Sequence, residues 1–251
     1  MKCVVCGKEM GFYFTKEFNA WGLGTAEYWR CANCGLVICK TLYDMSQRDW
    51  RLLNDCYHNS LFKLAVDDPR RPMRLRGRER LCRQADTIGA LPRKGLIPIG
   101  RQWIDHGCGN GVLAEALASR GLPVIKYDPY LGYSPEGVLE KQYGLVISTA
   151  VFEHLRERAV YDEIAGLVAD NGVLALHVLV RESIPQDPTW FYLLPVHCTF
   201  FTNKSMQLLF DQWGFEASLY HVPSRMWFWF KKDVEPIGGF HYKRGFMDYW
   251  S

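Results

Sequence analysis

The sequence predicts an α/β fold, a mainly parallel sheet that closes in a C-terminal antiparallel hairpin, preceded by a small cysteine-ligated element. Three observations predict it. Four cysteines form two equally spaced pairs near the N-terminus; a strand, a glycine-rich turn and a helix follow one another in mid-chain; and apolar runs of strand length recur after that turn. With 48% hydrophobic and 23% charged residues in 251, the chain has material for a substantial core, which excludes disorder as its main theme. A net charge of +3 is too small to make the whole surface a polyanion binder. No run approaches the roughly 18 apolar residues of a membrane helix, and MKCVVCGKEM lacks an apolar stretch of leader length, so a cytoplasmic chain without membrane contact is expected. Nine cysteines, an odd number, then point to metal ligation and burial rather than a disulfide framework.

The first element spans about residues 1–50. Cys3-x-x-Cys6 and Cys31-x-x-Cys34 are each followed by glycine, Gly7 and Gly35, which lets the backbone turn back under a metal with positive φ. Two such knuckles complete a four-sulfur shell suited to structural Zn²⁺, and resemble those of zinc ribbons; iron fits the same shell. Phe12, Tyr13, Phe14, Phe18, Trp21, Tyr28 and Trp29 between the knuckles are expected to form a small aromatic core. Cys39, Cys56, Cys82 and Cys198 lack partners at ligand spacing and are expected as small buried residues.

Residues 51–95 read as a helical connector. Arg70, Arg71, Arg74, Arg76, Arg78, Arg80 and Arg83 crowd one short window, with Pro72 placed to start a helix and Leu75, Leu81, Cys82, Ala85 and Ile88 to give it an apolar side. The arginines are either a solvated face balanced by Asp67, Asp68, Glu79 and Asp86 or a phosphate-binding patch.

From residue 96 to 251 the pattern is that of a Rossmann-like α/β unit. Arg101 to Gly111 carry a short apolar strand into Asp105-His106-Gly107-Cys108-Gly109-Asn110-Gly111, and Val112 to Ala118 continue as an apolar-periodic helix. A second strand, Pro123 to Asp128, ends in a carboxylate suited to a ribose diol. NAD is the first alternative for such a turn. Against it, the glycines alternate as Gly-x-Gly-x-Gly, and Asp105 at the strand end suits an amino-bearing or cationic ligand better than a pyrophosphate. S-adenosylmethionine satisfies these constraints.

On these residues the sequence resembles class I methyltransferases. The resemblance implies that Asp105 to Gly111 hold the methionine portion, Asp128 the ribose hydroxyls, and that Asp105, His106, Gly107, Cys108, Gly109, Asp128, Pro129, Tyr130, Thr149 and Ala150 line the cofactor. Tyr143 to Thr149 looks like the fourth strand of such enzymes, followed by Glu153-His154-Leu155. Asp162 to Ala169 reads as a helix broken by Asp170-Asn171-Gly172, and Val173 to Val180 as the next buried strand. His197 to Thr202 and the helix Ser205 to Trp213 match the closing segment of many small-molecule methyltransferases. Glu216 to Val222 and Arg225 to Lys231 then make a hairpin with an apolar Trp227-Phe228-Trp229-Phe230. An N-terminal four-cysteine ribbon on this body is similar to bacterial zinc-ribbon small-molecule and sugar methyltransferases. Only fourteen residues, Pro129 to Gln142, separate the second acid from the Tyr143 strand, so the usual third strand is expected to be absent, leaving Tyr130, Tyr133 or backbone to cover the adenine.

Methyl transfer needs chiefly placement of the acceptor, and a histidine where a proton must leave. His154 and His197 are the candidates, each with an alternative as a core or capping residue. The proline-punctuated Thr189 to Leu194 reads either as a substrate lid or as packing against the hairpin. The expected partner is a small-molecule methyl acceptor, with no obligatory protein partner. RNA methylation through the ribbon and arginines is the alternative, and a non-catalytic binding module a further one.

Overall fold

The computed structural model describes the backbone of residues 1–20, 22–62, 71–98 and 100–248, and the side chains of all of these except 59, 61, 62, 71–76 and 78. The elements in chain order are strands β1 (Met10–Phe18), β2 (Gly24–Cys31) and β3 (Val37–Cys39), helices α1 (Lys40–Tyr43), α2 (Gln47–Phe62) and α3 (Arg71–Ala90), β4 (Trp103–His106), α4 (Val112–Ala118), β5 (Ile125–Tyr127) and β6 (Tyr143–Thr149). There follow α5 (Arg158–Gly166), β7 (Val168–His177), β8 (Val180–Arg181), β9 (Thr199–Thr202), α6 (Asn203–Gln212), β10 (Ala217–His221), β11 (Met226–Phe230) and β12 (His241–Arg244). They group into two compact units, one of Met1–Leu75, Glu153–Arg158 and Leu179–Leu209, the other of Arg76–Phe152, Ala159–Val178 and Phe210–Ser251.

The first unit holds a five-stranded sheet, β1-β2-β3-β9-β8, antiparallel except for the β8/β9 pair. Its core joins Phe14, Tyr28, Val37, Leu42, Trp50, Trp190 and Phe200. Phe14 and Tyr28 stack at 4.7 Å, as a small aromatic core requires, whereas Phe12 points outward at 62% exposure; Trp21 lies outside the described residues. Most of α2 falls in the stretch read as a helical connector; it buries Trp50, Leu53 and Tyr57 at helical spacing, and its start carries a local cap, where Asp49 N–H donates to Ser46 Oγ at 3.1 Å. The Thr189 to Leu194 stretch, read either as a lid or as packing against the hairpin, contributes to this core. Trp190 and Leu193 are buried there, Trp190 lying 5.8 Å from Phe200, while Phe191 is exposed.

The second unit holds a seven-stranded sheet in the order β12-β10-β11-β7-β6-β4-β5. Strands β7, β6, β4 and β5 are parallel, and β11, β10 and β12 add to β7 as an antiparallel edge. The Trp227 to Phe230 run is buried and pairs with β7, so its lack of alternation reflects burial on both faces. Strand β5 ends the sheet, and among the described residues no strand lies beyond it, in keeping with the short Pro129 to Gln142 connection. Leu145, Ile147, Val173, Ala175 and Phe228 pack with Ala85 and Ile88 of α3 and Leu113 and Leu117 of α4.

Three expectations need correction. The helix expected from Asp162 to Ala169 runs from Arg158 to Gly166, and β7 begins at Val168 and passes through Asp170-Asn171-Gly172. Gly172 makes that passage feasible, since a Cβ there would lie 2.7 Å from the Tyr143 carbonyl oxygen, and the β6/β7 register shifts between Tyr143 and Leu145. Val180, assigned to the same strand, belongs to β8 in the other sheet. Of the four cysteines expected to be buried, Cys39 and Cys198 are, while Cys56 and Cys82 sit on solvent-facing positions of α2 and α3. The arginine window falls largely outside what is described: Arg70 entirely, and the side chains of Arg71, Arg74, Arg76 and Arg78. Arg83 is exposed and Arg80 half-buried. No described helix is long and apolar enough to cross a membrane.

Candidate active site and cysteine centre

The β4–α4 turn is built by three glycines in the left-handed region, Gly107, Gly109 and Gly111, with φ of 74°, 54° and 74°. The amides of Gly107 and Cys108 both donate to the Tyr127 carbonyl, at 2.8 and 3.1 Å, which ties the turn to the end of β5. At Gly107 a Cβ would lie 2.4 Å from Val151 Cγ2, so both conformation and space require glycine. Asp128 braces the turn from the side. Its Oδ2 accepts from Gly109 N–H at 3.0 Å, and its Oδ1 accepts from the amides of Tyr130 and Leu131 at 3.0 and 3.2 Å.

Asp105 is the anomaly of this site. It is 1% exposed, and neither carboxylate oxygen has a hydrogen-bond partner among the described residues. A buried acid without donors is costly. Burial first, and the nearby Asp128 charge second, push its pKa up to about 7. Burial and the same two carboxylates push the Cys108 thiol up to about 12, which keeps it protonated and unreactive. His106 is buried and pairs with Glu163 at 3.3 Å, its ring 4.8 Å from Tyr127, so its Nε2 faces α5. Tyr130 and Tyr133 are exposed at 48% and 37%. Thr149 closes β6, and Ala150 follows at φ 55°, a strained value for a residue with a Cβ, while its N–H donates to the His177 carbonyl at 2.8 Å. Two hollows in this unit, one lined by Leu96, Pro98 and Lys232 and the other by Trp103, Leu122 and Val124, involve the amino ends of the strands rather than this turn.

In the first unit the four paired cysteines converge. Sγ–Sγ distances are 3.6 Å for Cys3–Cys34, 3.5 Å for Cys6–Cys31 and 3.7 Å for Cys6–Cys34. Sulfurs at about 2.3 Å from a tetrahedral ion lie about 3.8 Å apart, so the donor set fits Zn²⁺. Gly7 and Gly35 take φ of 68° and 74°, as the knuckle reading requires. Donation from Cys34 holds the Cys3 thiol down to about 5 and pushes Cys34 up, as expected where several sulfurs compete for few protons.

His154 and His197 also come together in the first unit. The Cys198 amide donates to the Glu153 carbonyl at 2.8 Å, which brings the segment before β9 against the turn Phe152–His154. The two rings meet edge to face at 4.9 Å. His197 Nδ1 donates to the Tyr192 carbonyl at 2.9 Å, and His154 to the Val196 carbonyl. Burial pushes both pKa values down, that of His197 to about 4, so both are neutral imidazoles at physiological pH rather than groups poised near 7. Sequence reasoning singled out neither Glu153 nor Tyr192. The Tyr192 hydroxyl donates to Glu153 Oε1 at 2.9 Å. The adjacent Glu-His was the only signal, because its partners lie about forty residues away.

A parallel β7-β6-β4-β5 core with an antiparallel edge, a Gly-x-Gly-x-Gly turn after its first strand and a carboxylate after its second define a class I methyltransferase. A methyltransferase-domain family model matches residues 73–219, more than half of the chain, and the chain belongs to that family. Among solved structures it is similar to magnesium protoporphyrin IX methyltransferase of Synechocystis PCC 6803 with bound SAH, at 14% identity and a TM-score of 0.46 over 74% of this chain and 98% of that one. It is also similar to a SAM-dependent methyltransferase of Thermotoga maritima described as a possible histamine N-methyltransferase, at 17% identity and 0.36 over 61% and 91%. A third is coclaurine N-methyltransferase, at 16% and 0.34 over 59% and 50%. No curated protein matches the sequence.

Proposed function

We propose that the chain transfers a methyl group from S-adenosylmethionine to an oxygen or carbon of a small molecule, a class that includes sugar- and nucleotide-linked metabolites. The observation that carries the reading is Asp105, a buried carboxylate with both oxygens unsatisfied beside a glycine turn. An ammonium donor satisfies it and favours its ionised form. S-adenosylmethionine, when bound, supplies such an ammonium together with a methyl group on a sulfonium leaving group.

The turn Asp105, His106, Gly107, Cys108 and Gly109 is assigned to the amino-acid end. Asp128 and Pro129 are assigned to the ribose, Tyr130 to the adenine, and Thr149 with Ala150 to the opposite wall. Its three backbone contacts fill both acceptor sites of Asp128 Oδ1 and one of Oδ2, so Oδ2 keeps one lone pair for a ribose hydroxyl. His154 and His197 are assigned to the acceptor, which must lose a proton from oxygen or carbon as the new bond forms. Residues 1–50 are proposed as a zinc ribbon whose Cys3, Cys6, Cys31 and Cys34 hold a structural ion, 51–95 as a connector and 96–251 as the methyltransferase segment, in a cytoplasmic chain whose thiols stay reduced. The RNA alternative rests on the arginine run and has no support from the side chains that are described.

Calorimetric titration with S-adenosylmethionine tests the reading. Wild-type protein should bind one equivalent, and Asp128→Ala, which removes both the ribose contact and the brace on Gly109, should bind at least about tenfold more weakly. Absence of binding by the folded wild-type chain would refute the proposal.

A further inference from the structure

We propose that Glu153, His154 and His197 form a second metal centre, a two-histidine, one-carboxylate site for a first-row divalent transition-metal ion, distinct from the four-cysteine centre. One ligand atom from each of the three lies within 4.8 Å of those of the other two. Ligands around an ion at about 2.1 Å stand about 3.4 Å apart in a tetrahedron, so the set closes by small side-chain rotations.

Proximity is supported by the hydrogen bonding behind the ligands. A carbonyl can only accept, so the contacts of His197 Nδ1 with Tyr192 and of His154 with Val196 put the single N–H of each neutral ring on a backbone carbonyl. The other nitrogen of each ring then carries a lone pair. A backbone carbonyl behind a ligating imidazole is the usual device for fixing its tautomer and direction, and a hydroxyl behind a ligating carboxylate does the same. Tyr192 provides both devices, through its carbonyl to His197 and its hydroxyl to Glu153. The half-buried His154 leaves the group a route to solvent while Glu153 and His197 stay buried. Two imidazoles and one carboxylate favour Zn²⁺, Co²⁺ or Mn²⁺ over Mg²⁺ or Ca²⁺, which prefer all-oxygen shells. Three protein ligands leave at least one position open, the arrangement of catalytic rather than structural ions. That the ion would serve the methyl acceptor rests on the proposed function; that it binds does not.

The test keeps the two apart by reading binding without turnover. Full-length protein is loaded with one equivalent of Zn²⁺ to fill the cysteine centre and then titrated with Co²⁺. A thiolate-to-cobalt charge-transfer band would report displacement from the cysteines, and d–d bands without it report a nitrogen–oxygen site. The wild type should take up one Co²⁺ without the charge-transfer band. Glu153→Gln and His197→Gln should bind it at least about 100-fold more weakly, and Tyr192→Phe about tenfold more weakly, with circular dichroism unchanged. No stoichiometric uptake by the wild type overturns the proposal. So does uptake that survives both ligand substitutions, or, should those two variants not fold, a folded Tyr192→Phe protein that binds as the wild type does. Failure to bind S-adenosylmethionine alongside normal Co²⁺ uptake would count against the proposed function alone.

Discussion

At Asp105 the chain holds a carboxyl where it is expensive to ionise, and the sign of the consequence can be worked out. Its pKa is raised from 3.8 to about 7 in the folded protein. Below about pH 4 the group is protonated in both folded and unfolded chains and contributes nothing. As pH rises toward 7 the unfolded chain ionises first, so stability falls, by on the order of 4 kcal/mol for a shift of this size. Asp105→Asn removes the titration. It should be more stabilising relative to wild type at pH 8 than at pH 5 in urea unfolding, by a few kcal/mol on this scale, while S-adenosylmethionine binding weakens. A stability difference that does not grow with pH would show that Asp105 is not held as described. The residue's position at a strand end before Gly107 was legible from the sequence, because strand, turn and acid are contiguous. Its isolation from donors was not, since that depends on what surrounds β4. The same division holds for histidine: each of His154 and His197 could be singled out by its neighbours, but their meeting depends on the Cys198–Glu153 backbone bond that joins distant segments.

At the scale of the element, the glycine turn separates two demands that sequence alone merges. Gly107 and Gly109 both take positive φ, but a Cβ meets Val151 only at Gly107 and nothing within 4 Å at Gly109. Gly109→Ala should therefore cost about 1 kcal/mol, the left-handed penalty, and Gly107→Ala about 2–4 kcal/mol, because overpacking adds to it. Val151→Ala should recover part of the second loss and none of the first. Equal costs in chemical denaturation would mean that Val151 does not press on the turn. Elements with strong local patterns were legible: β6 occupies the expected Tyr143–Thr149, α4 the expected Val112–Ala118, and the hairpin falls within one residue or so of its expected ends. The strand β12 was not. His241–Arg244 is polar, mostly exposed and only four residues long, and it is a strand because β10 offers an unpaired edge. Asp170-Asn171-Gly172 carries a turn signal that is expressed as an irregularity inside β7: Val168 pairs with Tyr143 and Val173 with Leu145, so these three residues lie in the register shift between the two pairings.

At the scale of the whole molecule, the chain visits each of its two units three times, so neither core is a contiguous stretch of sequence. That is why the α/β class was legible and the membership of the five-stranded sheet was not. Pairing of Val37 and Ile38 with Phe200 and Thr199 joins residues more than 150 positions apart, and no local pattern announces it. Separate cores also imply separate sensitivities. The first unit contains the four sulfurs at tetrahedral spacing, and Thr202 Oγ1 donates to the Cys34 carbonyl, so β9 is anchored to the second knuckle. An ion bound there contributes folding free energy to that unit. Chelation should therefore raise amide hydrogen exchange first in β1, β2, β3 and β9, while β6 and β7, whose buried apolar runs pack with α3 and α4, keep their protection. The measurement is exchange mass spectrometry on the full chain before and after treatment with a zinc chelator. Loss of protection in β6 and β7 to the same extent and at the same chelator concentration would show one cooperative body, and unchanged exchange throughout would show that the four cysteines hold no stabilising ion.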